Sequence, residues 1–255
     1  MITLDASDLT GPPPLASFGR LALFLDLDGT LAAIQPQPQD VKPEAWRTDL
    51  LRQLELRLDG RVAVISGRTL EEVDSILEGS VAAVAAVHGL VRREPDGRIT
   101  TTPPSPAILG AARDAESLAQ RLPGLRLELK GPSVALHYRQ APALAARVAD
   151  AAQILAERWD LRLQPGDMVV ELCTPGHDKG SAILDFMREA PFAGSVPLFL
   201  GDDLTDEVGF RAVSALGGLG VLVAARRRTA ARAWLPGVDA VQAWLERGVD
   251  EVRTQ

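Results

Sequence analysis

LALFLDLDGT, residues Leu21–Thr30, is the stretch from which the fold of this chain can be read. Leu21–Leu25 is an unbroken apolar run with turn residues on both sides. Such a run reads as a strand buried on both faces, as in a parallel sheet covered by helices. It ends in two carboxylates, Asp26 and Asp28, with only Leu27 between them. Gly29 and Thr30 then let the backbone turn. Ligands of open α/β sheets bind just beyond the carboxyl ends of the strands. Two acids at that edge do not suit a core; they suit a cation held between them. Asp-Gly alone is a common turn signal. At the end of five apolar residues it is a more specific one.

The segments on either side of this strand extend the same pattern. Residues 1–19 read as coil, stopped by Pro12–Pro14. Leu31–Pro43, rich in Gln and Pro, reads as a loop or flap over the strand end. Trp46, Leu50, Leu51, Leu54 and Leu58 fall at helical spacing in Glu44–Leu58, and Asp59-Gly60 ends that helix. Val62–Ile65 is a second buried strand, followed by Ser66-Gly67-Arg68. Thr69 and Glu72 have the spacing of a capping box for a helix to about Leu77. Val81–Val87 is a third strand, ending in His88-Gly89. Three βα units in a row, with polar residues gathered at strand ends, predict a doubly wound sheet.

The pattern then changes to α+β. Asp96-Gly97 suggests a hairpin between Leu90–Glu94 and Arg98–Thr101. Ile108–Leu122 reads as helix, Leu125–Lys130 and Ser133–Arg139 as alternating strands, and Ala143–Trp159 as a long helix. Leu161–Leu163 and Met168–Leu172 are expected to pair across a turn at Pro165-Gly166-Asp167. The α/β pattern resumes with Asp178-Lys179-Gly180 before a helix Ser181–Arg188. A strand Val196–Leu200 leads into Gly201-Asp202-Asp203-Leu204-Thr205-Asp206-Glu207, then come a helix 205–213 and a strand Leu219–Val223. Thr229–Leu235 and Val238–Leu245 read as closing helices. The fold class expected is α/β, a doubly wound, Rossmann-like parallel-sheet core (1–102 and 175–255) with an inserted α+β module (103–174).

Four strand ends or helix starts carry chemistry: Asp26-x-Asp28, Ser66, Lys179 and Asp202-Asp203. Together they describe a hard-cation site with anion donors. Mg²⁺ prefers oxygen ligands and keeps several waters, and acids from two strands supply oxygens. The Ser66 hydroxyl, backbone N–H groups at helix starts and the Lys179 ammonium suit phosphate oxygens. A carboxylate nucleophile is one recognised covalent route.

These four elements, in this order, resemble the motifs of the haloacid dehalogenase-like phosphohydrolases: hhhhDxDGT, hhhS, K and hhhhGDDxxD, where h is apolar. The resemblance implies Asp26 as a nucleophile that forms an aspartyl phosphate. It implies Asp28 as the acid/base, and Ser66, Gly67 and Lys179 as phosphate ligands. The implied Mg²⁺ shell is Asp26, the Asp28 backbone carbonyl, Asp202 and Asp203, with Thr30 and Asp206 in support. The inserted module lies where the larger α+β caps of that superfamily lie.

A narrower resemblance, to the trehalose-6-phosphate phosphatase family, covers nearly the whole chain from about Leu21. It rests on Ser66-Gly67-Arg68, His88-Gly89, Glu128-x-Lys130, His137-Tyr138-Arg139, Glu171 ahead of His177-Asp178-Lys179-Gly180, and the Gly201–Glu207 run. Each is short; the ordered set is specific. Two departures are Val208-Gly209-Phe210 after Glu207, where an acid commonly follows, and Val87 before His88, where Glu is usual. The implied activity is hydrolysis of trehalose 6-phosphate, with Arg68, His88, Glu128, Lys130, His137, Arg139 and Glu171 touching the substrate. A phosphatase for sucrose phosphate or mannosylglycerate phosphate, or a phosphomutase, is the alternative within enzymes. A non-catalytic binding protein on the same fold is the alternative outside them, and it should have lost Asp26, Asp28, Lys179 or Asp202.

Composition sets the remaining bounds. The 255 residues carry a formal charge of −7, which does not favour a nucleic-acid surface. No window reaches the length of a membrane span. The N-terminus carries Asp5 and Asp8 where a signal peptide would be basic. One cysteine, Cys173, excludes an internal disulfide and fits a reducing compartment. A cytoplasmic monomer acting on a small sugar phosphate, with no nucleic-acid or membrane partner, is expected. Cys173 and Tyr138 read as packing, Arg226–Arg228 as a solvated face. His88 is either a structural histidine or a substrate contact.

Overall fold

The computed structural model describes Asp5, residues 9–166 and residues 168–252. The coil expected at residues 1–4 and 6–8 and the turn residue Asp167 lie outside that range. The chain divides into two compact units, Met1–Thr100 with Asp178–Gln255, and Thr101–His177.

The first unit is built on β1 (Leu21–Leu25), all five residues of which are buried. Its neighbours are β10 (Val196–Gly201) on one side and β2 (Val62–Ile65) on the other, both parallel. From β2 the sheet continues through β3 (Ala83–Ala86), β4 (Val91–Arg93) and β5 (Ile99–Thr101). From β10 it continues through β11 (Leu219–Val223) and β12 (Ala233–Leu235). The chain therefore runs outward from β1 in one direction and later from β10 in the other. The crevice where strand order reverses lies at the carboxyl ends of these two strands, the usual ligand position of such a sheet.

Side-chain alternation explains why both faces are covered. Ala22 and Phe24 of β1 join one cluster with Ile183 and Phe186 of α5 (Lys179–Phe186) and Phe210 and Val213 of α6 (Glu207–Ala215). Leu21, Leu23 and Leu25 point to the other face and are equally buried. Helices α1 (Ala45–Arg57) and α7 (Val238–Val252) pack on each other, and α2 (Leu70–Leu77) packs on β3. The capping box expected at the start of α2 is present: Thr69 Oγ1 accepts from Glu72 N–H and the Glu72 carboxylate accepts from Thr69 N–H.

Several local expectations are corrected. Thr229–Leu235 is not a helix; its last three residues are the edge strand β12. The Ala-rich composition hid a period of two, with Thr229, Ala231, Ala233 and Leu235 all buried. The segment before Pro12 is not free coil at Thr10, whose carbonyl accepts from Trp234 N–H and covers that edge. Leu15–Phe18 forms a short 3-10 turn. The third strand is shorter than expected because Val87 and His88 adopt positive φ, 48° and 55°, a left-handed conformation that takes them out of the sheet. The helix expected from 205 is a 3-10 turn, Leu204–Asp206, ahead of α6. The last helix runs past Leu245 to Val252.

The second unit is a four-stranded antiparallel sheet in the order β6 (Arg126–Leu129), β7 (Ser133–His137), β9 (Val169–Cys173), β8 (Arg162–Gly166). Pro165 and Gly166 belong to β8 rather than to a turn. This is tolerated because β8 is an edge strand, where a missing N–H breaks no ladder. Val134, Leu136, Val170 and Leu172 pack on α3 (Pro106–Ala119) and α4 (Ala145–Trp159). The opposite face of the same strands carries Glu128, Ser133, His137, Glu171 and Gln164, beside Ala135, Val169 and Cys173.

Candidate active site

The site grows from the ends of β1 and β10. Asp26 follows β1 directly, and its N–H donates to the Leu200 carbonyl of the neighbouring strand, 2.9 Å away. Asp202 follows β10. Gly29, at φ +77°, lets these two strand ends come together: a Cβ at that position would lie 2.1 Å from Asp202 Oδ2. An L side chain there would be strained by the backbone and would displace the carboxylate.

Asp26, Asp202 and Asp206 form one cluster, with one carboxylate oxygen from each lying within 4.8 Å of the others. Lys179 opens α5 behind the Asp178 cap and enters the cluster. Its ammonium lies 2.9 Å from Asp26 Oδ1 and 2.7 Å from Asp206 Oδ1. Asp206 is fully buried, and its second oxygen accepts from the N–H groups of Asp202 (2.9 Å) and Asp203 (3.0 Å). It thus fixes the loop that presents Asp202.

Burial, and behind it the neighbouring carboxylates, raises Asp26 and Asp206 above the usual range; Asp202 reaches about 7. Burial alone would lower Lys179, but Asp206 and Asp26 outweigh it and hold the ammonium charged. Three carboxylates against one ammonium leave excess negative charge on oxygen donors only. That donor set fits a hard divalent cation.

Asp203 does not join the cluster. It is exposed, and its Oδ1 accepts from Thr205 N–H and Oγ1. Asp28 lies on the turn after Asp26 and is gripped by Arg68, Nε to Oδ2 and Nη2 to Oδ1, both 2.7 Å. Thr30 is buried, and its hydroxyl has no hydrogen-bond partner among the described residues. Ser66 follows β2; its Oγ accepts from Arg68 N–H at 3.1 Å. Gly67 passes so close to His88 that a Cβ would sit 2.5 Å from Nε2. His88 itself is buried, and its N–H donates to the Ser66 carbonyl. Beside Gly29 and Asp202 opens a cavity of about 600 Å³, lined also by Ile34, Val223 and Pro236.

The remaining candidates share the polar face of the second unit. Glu128 Oε2 lies 2.8 Å from His137 Nε2 and 3.8 Å from Lys130 Nζ. The hydrogen bond from His137 lowers the Glu128 carboxyl below its usual range, against burial. Glu171 is buried and accepts from Ser133 Oγ at 2.5 Å. Register places Glu128, Ala135, Glu171 and Gln164 in one row across the four strands. Arg139 follows β7, half-buried. Gln164 and its partner Arg162 were not singled out from sequence; period-two counting from Leu163 would have found them.

The residues outside the motifs are placed by partners distant in the chain. Arg227 is not part of a solvated face: it pairs with Glu207 and donates from Nη2 to the Asp203 carbonyl at 2.7 Å. Arg226 stacks on Trp234 at 4.3 Å. Tyr138 packs against the core of the second unit. Cys173 is buried, and its thiol is pushed up to about 12 by burial and by Glu171. Both fit packing.

The sequence matches the family model for trehalose-phosphatase over residues 24–235. It is 41% identical over 244 residues to trehalose-6-phosphate phosphatase of Escherichia coli K12, covering 93% of this chain and 89% of that protein. The chain belongs to the trehalose-phosphatase family. Solved structures agree on the architecture of this family member. A trehalose-6-phosphate phosphatase related protein superposes with a TM-score of 0.71 at 26% identity, covering 92% of this chain and all of that one. The C-terminal domain of the Candida albicans trehalose-6-phosphate phosphatase superposes with a TM-score of 0.80 over 92% of this chain and 94% of the other. At 19% identity this second match bears on the fold alone.

Proposed function

We propose that this protein is a phosphoric monoester hydrolase that converts trehalose 6-phosphate to trehalose and phosphate with Mg²⁺ as cofactor, in trehalose biosynthesis. The observation that carries the reading is the meeting of Asp26, Lys179, Asp202 and Asp206 at the switch point of a trehalose-phosphatase fold. Asp26 and Asp202, steadied by Asp206, are the residues that would hold Mg²⁺. The ion would supply positive charge against the phosphate and the nucleophile.

Asp26 attacks the phosphorus, and the bond from phosphorus to the sugar oxygen breaks. Asp28 gives that oxygen its proton. In the second half Asp28 takes a proton from water, whose oxygen displaces Asp26 from phosphorus and regenerates the carboxylate. Lys179 holds Asp26 in place and stabilises charge on the phosphoryl oxygens. Ser66 and the N–H of Gly67 bind the same oxygens. Sugar recognition is assigned to the inserted unit, through Glu128, Lys130, His137, Arg139 and Glu171. A polar group there left unpaired by a wrong sugar costs about 1–3 kcal/mol, so a few of them discriminate strongly. A cytoplasmic location belongs to the same reading, with one buried thiol and no disulfide.

The test is phosphate release from a panel: trehalose 6-phosphate, sucrose 6-phosphate, mannosylglycerate phosphate, glucose 6-phosphate and p-nitrophenyl phosphate. Trehalose 6-phosphate should show the highest kcat/KM, and chelator should abolish turnover until Mg²⁺ is restored. Lys130→Ala, Arg139→Ala or Glu171→Ala should lose trehalose 6-phosphate far more than p-nitrophenyl phosphate. A better kcat/KM on another sugar phosphate would overturn the substrate. Full activity in chelator would overturn the metal.

A further inference from the structure

Arg68 sits in the Ser66-Gly67-Arg68 motif, where the sequence reading makes it a substrate contact. Its side chain is only 9% exposed, and its Nε–Nη2 edge is laid against Asp28 rather than toward solvent. The two bonds are parallel and equal at 2.7 Å, the fork-to-carboxylate geometry in which guanidinium and carboxylate hold each other in one plane. Its third donor direction is also used: Nη1 donates to the Pro38 carbonyl at 2.9 Å. The base of the side chain is equally fixed. Arg68 N–H donates to Ser66 Oγ, and its carbonyl accepts from Val87 N–H. Thr69 then starts α2 with its capping box.

Asp28, by contrast, stands on a turn and is 37% exposed. A short carboxylate on a turn has several rotamers open to it. The group that selects one of them is Arg68, from the end of the adjacent strand β2. We propose that Arg68 is a positioning residue for the reaction: it sets the plane and direction of the Asp28 carboxylate, and does not read the sugar. This rests on the assignment of Asp28 as the acid/base.

The role matters most in the second half-reaction. There the Asp28 carboxylate takes the proton of a water while the water oxygen bonds to phosphorus and the bond from phosphorus to Asp26 breaks. A misdirected carboxylate slows that step, whereas phosphorylation of Asp26 by p-nitrophenyl phosphate, whose leaving group needs little protonation, is spared. The phosphoenzyme then accumulates.

The experiment is stopped-flow release of p-nitrophenol from p-nitrophenyl phosphate with Mg²⁺ present, on the wild type, Arg68→Ala, Arg68→Lys and Asp28→Asn. Arg68→Lys keeps the charge but not the fork, and protects the test against a misfolded alanine variant. Expected for both Arg68 variants is a burst approaching one p-nitrophenol per enzyme. It should be followed by a steady-state rate at least tenfold below wild type, with KM lowered in step and kcat/KM nearly unchanged, because phosphorylation is spared. Asp28→Asn should show the same burst with a deeper loss. Normal p-nitrophenyl phosphate kinetics with a raised KM for trehalose 6-phosphate would make Arg68 a sugar reader and overturn the proposal. Burst and steady rate falling in proportion would make it structural and also overturn it. If Asp28→Asn itself gives no burst, the acid/base assignment has failed, and the role of Arg68 falls with it.

Discussion

Replacing Asp206 by alanine should destabilise the first unit by about 3 kcal/mol, at the lower edge of the ~3–5 kcal/mol cost of breaking a buried ion pair by removing one partner. Asp206 is fully buried and accepts three hydrogen bonds: from Lys179 Nζ at 2.7 Å, Asp202 N–H at 2.9 Å and Asp203 N–H at 3.0 Å. Alanine leaves Lys179 with Asp26 as its one remaining ion-pair partner among the described residues. It also strips two backbone donors of their acceptor. Each unpaired donor costs roughly 1–3 kcal/mol if no water reaches it. One term opposes these. The charge of Asp206 raises both Asp26 and Asp202, so its removal relieves repulsion and brings the sum to the lower edge. For a unit of this size about 3 kcal/mol shifts Tm by roughly 6–12 °C. The assay is calorimetry at pH 7 in chelator, on wild type and Asp206→Ala, with Asp206→Asn as the isosteric control. Asparagine retains one accepting oxygen and should fall between the two. A loss below about 1 kcal/mol for Asp206→Ala would refute the claim that this carboxylate holds the loop, because one unpaired buried donor alone should cost that much.

Asp26→Asn should stay folded and lose turnover by on the order of a thousandfold or more, since an amide does not attack phosphorus; phosphate release near the wild-type rate would remove the aspartyl-phosphate route. Arg47 is buried and donates to the carbonyls of Leu31, Lys42 and Ile76. Arg47→Met should therefore lower the urea midpoint, with each carbonyl left dry costing about 1–3 kcal/mol; an unchanged midpoint contradicts this. Cys173 should resist a disulfide reagent at pH 8 in the native state and react fully in guanidinium, because the thiol is buried and pushed up to about 12; prompt native labelling contradicts its burial. Glu128 is held below its usual range by His137. Its contribution to stability is thus complete above the unfolded value of about 4.3 and is lost as pH falls through the lower folded value. Glu128→Gln should accordingly flatten the acid side of the stability–pH curve, and identical curves would refute the pairing.

What could be read from the sequence follows a physical line. The strand Leu21–Leu25 is legible because burial on both faces leaves only apolar residues, and the charged neighbours Arg20 and Asp26 mark its ends. The acids after it are legible because a strand end is where a sheet presents chemistry. Thr229–Leu235 is misread because alanine fits either periodicity; only the edge pairing of Ala233 with Val221 and Thr10 decides it. Sheet order was legible only as a class, since which strand lies beside β1 depends on contacts between distant segments.

The same line separates the site residues by the reach of their partners. Thr69 with Glu72, and Asp178 with Ser181, are capping boxes closed within one helical turn, so spacing alone exposes the first and makes the second readable. Asp206 and Arg68 act through partners far off in the chain. Asp206 meets Lys179 of another helix, and Arg68 meets Asp28 from the neighbouring strand. Residue type and position in a motif place both near the phosphate, but not what each one holds. Motif matching assigned Arg68 outward, to a substrate, whereas the adjacency of β1 and β2 turns its guanidinium inward onto a carboxylate. A cation in a phosphate-site motif therefore has two physical destinations, the ligand or the acids that act on it. The side chain's burial decides between them: an arginine nine-tenths covered, with both edges of its fork engaged, is set to orient its neighbour.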